Sequence, residues 1–496
     1  MPLGAGYRPR SPEATVLHRV VREHLATFLE DARATSAHGF GLPGFVEREF
    51  REYLACGVLA HGFMRVRCGS CGDEHLVGFS CKRRGVCPSC TSRRAVDAAA
   101  HLVDAVLPVT PMRQWVLSLP IKVRWVLARR PALVGRVLAV FLRALSTWQR
   151  RRGRAVGVSG ATGSVTFVQR FGSAMQLSIH YHVVMPDGVF VRADDGGVSF
   201  RRLPAPDDED VEALLGRCAA RVLRLLRREL GDDEPEADAL AALEAVRCTA
   251  ALGERAKLAA SAAASLAARP AAKGDGPKKK RLTAFLEGFS LHAGVHLHEN
   301  DRRGLEQLCR YGARGAIALS RLSELPDGRV AYHMKRPLPD GRTHLVLTGV
   351  ELLRKLAPLI PPPRFHLLRF HGVFAPNSKL RSLVVPKPPE LAVTEDAPVH
   401  EPQVRPPPSP YRLDWAAALK RVYAAAMAGR FATSPSPPCG SSTDVLVCAR
   451  CGGRLVVLAF IEKLTAVRAI LDHLGLPSAP LPLGKARGPP QAAWAF

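Results

Sequence analysis

Along residues 12–33, apolar side chains recur at Val16, Leu17, Val20, Val21, Leu25, Phe28 and Leu29. That is the three-and-four spacing of an amphipathic helix. Ser11 is placed to cap it, and Pro12 suits its first turn. The pattern predicts further helices over 45–60, 93–107 and 131–152, the last ending in Arg150, Arg151, Arg152 and Arg154. From residue 162 the period falls to two. SVTFVQRF (164–171) and QLSIHYHVVM (176–185) read as paired strands around a Gly172-Ser173 turn, and PDGVFVR continues as a hairpin. Residues 207–230 form a helix with an acidic start and an arginine-rich end, which suits the helix dipole. Residues 282–297 read as extended and 299–311 as helical, capped by Asn300 or Asp301. Strands at 329–335 and 343–347 and a helix at 349–357 follow.

Alternation in the second strand creates the first piece of candidate chemistry. Side chains two apart share a face, so His180 and His182 project together, about 7 Å apart at ~3.3 Å per residue. Two neutral imidazoles at that spacing can hold one divalent metal. Taken alone, the pair reads more readily as a strand edge with two half-exposed histidines, and the rest of the chain reverses that order.

Cysteine spacing supplies a second. Cys68-Gly-Ser-Cys71 and Cys87-Pro-Ser-Cys90 are two C-x2-C knuckles flanking residues 72–86. Four thiolates so arranged suit tetrahedral, structural Zn2+. Cys81 is a fifth cysteine in the same loop, placed either to lie beside the site or to replace a ligand. Cys448-Ala-Arg-Cys451 is another knuckle whose only nearby candidate partner is Cys439, and it reads equally as half a zinc site or a β-turn. Lys82, Arg83, Arg84, Arg93 and Arg94 surround the first knuckles, where they could hold DNA phosphates.

Composition widens this picture. The 496 residues are too many for one core, so several domains are expected. Lys and Arg number 70 against 44 Asp and Glu, a net charge of +26. Such a chain usually meets a polyanion, although a genome favouring Arg and Ala gives the same balance. No run of about 18 apolar residues indicates a membrane span, and the N-terminus has no apolar signal core. A cytoplasmic protein is expected, in which twelve cysteines favour metal over disulfides. No G-x4-G-K-[ST] phosphate loop occurs.

A metal-polarised phosphodiester needs a nucleophile. Tyr311 sits late on the 299–311 helix, between Arg310 and Arg314. A phenolate there can attack phosphorus, and the guanidinium groups would stabilise the phosphate charge. A tyrosine on a helix is more often simply packed, and its place relative to the histidines is what singles it out. At this point TFVQRFGSAMQLSIHYHVVMPDGVF, GFSLHA, LCRYGARGAIALSRL and RFHLLRFHGVFAP, in that order, resemble the rolling-circle transposases of bacterial insertion sequences. These belong to the HUH (His-hydrophobic-His) single-strand endonucleases. CGSC…SCKRRGVCPSC with MRQWVLSLP (112–120) resembles that family's zinc-binding domain, so the resemblance spans roughly residues 15–385.

The resemblance implies an α+β fold with a central antiparallel sheet, preceded by a helical, zinc-ribbon-like domain. It implies that His180 and His182 bind the catalytic metal, Mg2+ or Mn2+, and that Tyr311 is the nucleophile. The partners would be single-stranded DNA ends of the protein's own element and target DNA. His292 is the first choice for a third metal ligand, ahead of Gln307, which shares a helix face with Tyr311; Glu287, His296 and His298 are further candidates. Some family members carry a second tyrosine four residues on, but here that position is Gly315. A dimer, or sequential use of Tyr311 and a strand 3′-OH, would have to serve. His371 would contact DNA or pack.

The expected domains are 1–110 (helical and zinc-binding), 111–160 (basic connector), 161–385 (catalytic, with an Ala-rich insertion at 233–277), a Pro-rich linker at 386–410, a small module at 411–475 and a disordered tail at 476–496. Two other functions share these features. One is a replication initiator or relaxase with the same chemistry. The other is a non-catalytic, zinc-dependent DNA-binding protein, which Tyr311→Phe would leave unaffected.

Overall fold

A computed structural model describes residues 10–36, 39–230, 281–335, 337, 338, 340–386, 448 and 450–487. The Ala-rich 233–277 segment, Lys278 to Lys280, Cys439 and all but the first residue of the Pro-rich linker lie outside the described residues. The first region comprises α1 (Val16–Ala34), α2 (Gly44–Ala55), the hairpin β1 (Phe63–Cys68) and β2 (Glu74–Gly78), and α3 (Pro88–Ala105). Helix α1 buries the apolar stripe read from sequence, but its cap is Thr15, whose side chain accepts from His18 N. Ser11 instead precedes a short 3-10 turn and makes no side-chain cap bond.

The chain then forms β3 (Met112–Ser118), α4 (Ile121–Arg129), α5 (Pro131–Ala155), β4 (Gly163–Phe171), β5 (Leu177–Pro186), the hairpin β6 (Gly188–Arg192) and β7 (Val198–Arg202), and α6 (Asp208–Leu230). After the undescribed stretch come β8 (Thr283–Leu286), β9 (Phe289–Leu297), α7 (Arg302–Ala313), β10 (Leu322–Glu324), β11 (Val330–His333), β12 (His344–Leu347), α8 (Gly349–Leu356), β13 (Leu368–Gly372) and α9 (Arg381–Val384). The last elements are β14 (Leu455–Ile461) and α10 (Leu464–His473).

Six strands form one antiparallel sheet in the order β13-β4-β5-β3-β9-β8. The fold is thus α+β, as expected, but two boundaries change. Strand β3 lies inside this sheet between β5 and β9, and α5 packs beneath it. Residues 111–160 therefore supply core, not a connector. Helix α5 is the one helix among the described residues long and apolar enough to cross a membrane. Its Val134, Val137, Leu138, Phe141 and Leu145 are buried in the core below the sheet.

The second change is at the C-terminus. Strand β14 pairs antiparallel with β1, from Phe63↔Ile461 to Cys68↔Leu455, giving a three-stranded sheet β14-β1-β2. The described part of the expected 411–475 module thus completes the first region. Part of the expected disordered tail also has a place, since Gly484 N donates to Arg22 O at 2.9 Å and Arg487 N to Thr27 Oγ1 at 3.0 Å.

The two faces of the six-stranded sheet differ. One carries Trp115, Leu117, Ile179, Tyr181 and Val183 onto α5 and α6. On it the fully buried Tyr181 donates its hydroxyl to Val134 O at 2.9 Å. The other face carries Val165, Phe167 and Val184 toward α3 and α7. His180 and His182 belong to this second face by strand alternation.

Candidate active site and metal centres

On the second face, cross-strand partners place the site residues in two rows. One row is Gln169, His180, Ser118 and Ser290; the other is Phe167, His182, Val116 and His292. Helix α7 crosses this end of the sheet. Asp301 caps it by accepting from Gly304 N at 2.8 Å. Arg302 donates to the carbonyls of Val103, Leu107 and Pro108 at the end of α3, which ties the two helices together. Gln169 then donates to Tyr311 O and Gly312 O, each at 2.9 Å. Gly312 lies on the Phe167 ring, where a Cβ would come within 2.7 Å of ring carbons. A glycine there is what lets the helix lie this close to the sheet.

These contacts fix Tyr311 over the histidine pair. The rings of His180 and His182 are 5.0 Å apart, and the Tyr311 ring stands edge-on to His182 at 5.9 Å. Tyr311 is 41% exposed, whereas Tyr53, Tyr181 and Tyr332 are buried, so it is the one open tyrosine among those described. The Arg314 guanidinium lies 4.6 Å from the Tyr311 ring centre and reaches its hydroxyl at 3.5 Å. Lys335 Nζ lies 5.6 Å from the same ring.

Burial keeps both imidazoles neutral. His180 is lowered to about 4 by desolvation, with Arg124 and Arg314 pushing the same way. His182, only 6% exposed, is lowered to about 3 by desolvation, helped by His180. His180 Nδ1 faces Ser178 O at 2.8 Å. A carbonyl only accepts, so that nitrogen carries the proton and Nε2 keeps its lone pair. Neither ring nitrogen of His182 has a protein partner. Orphaned, neutral, buried imidazole nitrogens beside an open tyrosine fit a divalent cation.

The third-ligand candidates separate. His292 shares the row of His182 and lies within electrostatic reach of it, with Nε2 beside Gly294. Gln307 is exposed one turn before Tyr311. His296 instead faces Asp187 at 3.4 Å, His298 accepts from Asn300 N at 3.3 Å, and Glu287 sits in the β8–β9 turn with φ 46°. His371 pairs with Ser164, and its ring belongs to the face opposite the histidine pair. Among the described residues, no third His, Cys or carboxylate atom joins the pair at ligating separation.

The cysteines correct the expected single zinc site. Cys68 and Cys71 do not meet Cys87 and Cys90. Two separate clusters form, Cys56-Cys81-Cys87-Cys90 and Cys68-Cys71-Cys448-Cys451. In the first, Cys56 lies 3.6 Å from Cys90 and 3.5 Å from Cys87, and Cys81 lies 3.5 Å from Cys90. In the second, Cys68 is 3.4 Å from Cys451 and Cys71 is 3.6 Å from Cys448. A sulfur tetrahedron around zinc at ~2.3 Å has edges of about 3.8 Å, so both clusters suit the ion. The split arises because β1 and β2 carry the first knuckle away on a hairpin tip, while Cys87 caps α3. Pairing of β14 with β1 then delivers the orphan C-terminal knuckle. The available signal was two cysteine sets without partners, Cys56 alone and Cys448 with Cys451.

The expected phosphate-binding arginines are largely engaged elsewhere. Arg83 pairs with Glu52, and Arg84 donates to Phe365 O at 2.6 Å and Pro362 O at 3.1 Å. Arg93 pairs with Asp97 at 3.8 Å, Arg94 donates to Lys82 O at 2.9 Å, and Arg310 pairs with Glu306 at 2.9 Å. Only Arg314 of that set faces the site. Arg124, which sequence reading missed, lies within electrostatic reach of His180 from α4 while donating to Leu119 O at 2.6 Å.

Residues 163–381 match the family model Y2_Tnp, described as "Putative transposase", and residues 21–119 match Zn_Tnp_IS91, the transposase zinc-binding domain. The two matches support a transposase with a zinc-binding domain. The first spans every strand of the six-stranded sheet except β3, together with Tyr311; the second spans all of the Cys56–Cys90 cluster. No curated protein and no solved structure matches the chain. Helix α7 ends at Ala313 and Arg314 is extended, so position 315 is already off the helix. A Cβ at Gly315 would meet Thr91 Oγ1 at 2.6 Å. The chain therefore has no room for a second helical tyrosine at that point.

Proposed function

We propose that the protein is an HUH transposase of the single-tyrosine type. It nicks and rejoins single-stranded DNA through a 5′-phosphotyrosine on Tyr311, moving an insertion sequence by a rolling-circle-like route. The observation that carries this reading is the Tyr311 ring, open to solvent, edge-on to His182 at 5.9 Å.

His180 and His182 would hold Mg2+ or Mn2+, with His292, in the same row as His182, as the third ligand. That ion supplies polarisation of the scissile phosphate. The chain's own residues do the rest. Gln169 holds the backbone of Tyr311 and so positions its phenol. The Tyr311 oxygen attacks phosphorus, the bond to the 3′ oxygen breaks, and that oxygen leaves as a 3′-OH after taking up a proton. The phenolic proton passes to water, to which Tyr311 is open. Arg314 stabilises charge on the phosphate oxygens. A second strand's 3′-OH reverses the reaction, frees Tyr311 and restores the phosphodiester, so no nucleotide triphosphate is consumed. The zinc-binding region would recognise the element's ends.

The test is cleavage of end-labelled single-stranded DNA carrying the element's end, with and without added Mn2+. The reading expects metal-dependent cleavage leaving a free 3′-OH, abolished in Tyr311→Phe. Cleavage that survives in Tyr311→Phe would refute it.

A further inference from the structure

A cavity of about 630 Å³ opens between the zinc-binding region and the end of the six-stranded sheet. Its walls come from α1, α2, α4, β4, β5 and the chain after α8. Phe28, Phe45, Leu177 and Ile360 make much of it apolar. Into this wall projects Arg170, only 6% exposed. One of its terminal nitrogens donates to Pro358 O at 3.0 Å, while Nε and the other terminal nitrogen have no partner. Burial lowers this guanidinium to about 10. A buried cation with unspent donors is costly unless something satisfies it. Arg129 and Arg354 also line the cavity, against one carboxylate, Asp31, which Arg354 holds at 3.7 Å. Trp125 presents its indole at the mouth, 59% exposed.

We propose that this cavity is a nucleotide subsite for single-stranded DNA, with a backbone phosphate on Arg170 and the adjoining base against Trp125. A guanidinium with several free N–H groups matches phosphate oxygens. An exposed indole beside an apolar wall gives a base a stacking surface without reading its identity.

Position favours a DNA strand over a free metabolite. Arg170 follows Gln169, whose side chain holds the Tyr311 backbone on the other face of β4. Helix α4 likewise supplies Arg124 toward His180 and Trp125 toward the cavity. The two sites therefore wrap around one end of the sheet, and a strand lying at Tyr311 continues over that end onto Arg170. The proposal rests on the reading that single-stranded DNA is the substrate.

The test measures binding of a fluorescein-labelled single-stranded oligonucleotide to the full chain without added divalent metal. Wild type, Arg170→Gln, Trp125→Ala and Arg129→Gln are compared between about 50 and about 200 mM salt. Adduct formation with Mn2+ is scored separately on wild type, so failure of the chemistry and failure of the cavity are read apart. Arg170→Gln should weaken binding roughly tenfold or more and reduce the slope of log affinity against log salt by about 0.7, one phosphate's worth. Trp125→Ala should weaken it roughly fivefold or more with little change in slope. Trp125 and Arg129 are exposed, so their variants remain informative if Arg170→Gln unfolds. Unchanged affinity and slope in the folded variants would overturn the proposal. So would Arg170-dependent binding of inorganic phosphate or a mononucleotide without any effect on the oligonucleotide, which would make the cavity a small-molecule site.

Discussion

Strand β5 serves two faces that use polar atoms in opposite ways. Toward α5 and α6 it sends Ile179, Tyr181, Val183 and Met185, all buried, and the one polar atom among those side chains is satisfied by Val134 O. Toward α7 it sends His180 and His182, and there two buried ring nitrogens of His182 have no protein partner. One face closes the fold; the other is left unfinished by the protein itself. The comparison teaches that burial alone does not separate core from site, since Tyr181 and His182 are adjacent and both nearly inaccessible. Along β5, satisfaction of the polar atoms does separate them.

The largest break in that comparison should come from the closed face. Tyr181→Ala removes a fully buried ring and its hydrogen bond to Val134 O, and should cost about 3–5 kcal/mol of stability in denaturant unfolding. Tyr181→Phe isolates the hydrogen bond and should cost about 1 kcal/mol. On the unfinished face, His182→Leu should leave metal-free stability within about 1 kcal/mol of wild type or raise it, because no protein hydrogen bond is lost. The same variant should abolish Mn2+ binding measured by calorimetry. A large loss of stability in His182→Leu would show that the two faces are alike after all.

The cysteine clusters sharpen the contrast further. Zinc analysis of purified protein should give two ions per chain. Cys87→Ser should strip one and destabilise the first region broadly, since its cluster is buried between α2, α3 and the β2–α3 loop. Cys448→Ser should strip the other with a smaller loss, releasing the β14 strand from β1. A single zinc in wild type would contradict the split.

A further effect concerns pH. His180 and His182 are depressed in the folded state to about 4 and about 3. Below about pH 6.5 the unfolded chain takes up protons that the folded chain excludes. Metal-free stability should therefore fall with pH from about 6.5 toward 3, and His182→Leu should flatten part of that slope. No contribution from these two groups is expected above pH 6.5.

Much of this was legible in the chain because the relevant signals are local. Period-two alternation placed His180 and His182 on one face, and the helix around Tyr311 was legible from Leu305, Leu308 and Cys309. What escaped depends on long-range pairing. Strand β3 becomes an inner strand only through β5 and β9, and nothing local distinguishes MRQWVLS from a connector. The second cysteine cluster joins residues 68 and 71 to 448 and 451 through strand pairing, so spacing favoured the nearer but wrong set. Arg84 sits in a basic run that reads as a phosphate site, yet its partners are carbonyls 278 and 281 residues away. Arg170 lies in a segment that carries the resemblance but was not singled out there, and only its burial with two unpartnered nitrogens marks it.

The most direct test of the central claim is to locate the covalent bond. The protein is incubated with Mn2+ and single-stranded DNA of the element's end, digested with protease and nuclease, and analysed by mass spectrometry. The account predicts a nucleotide joined through its 5′ phosphate to the peptide containing Tyr311, and to no other peptide. An adduct on a different residue, or cleaved DNA with no adduct on Tyr311 at any time, would contradict it.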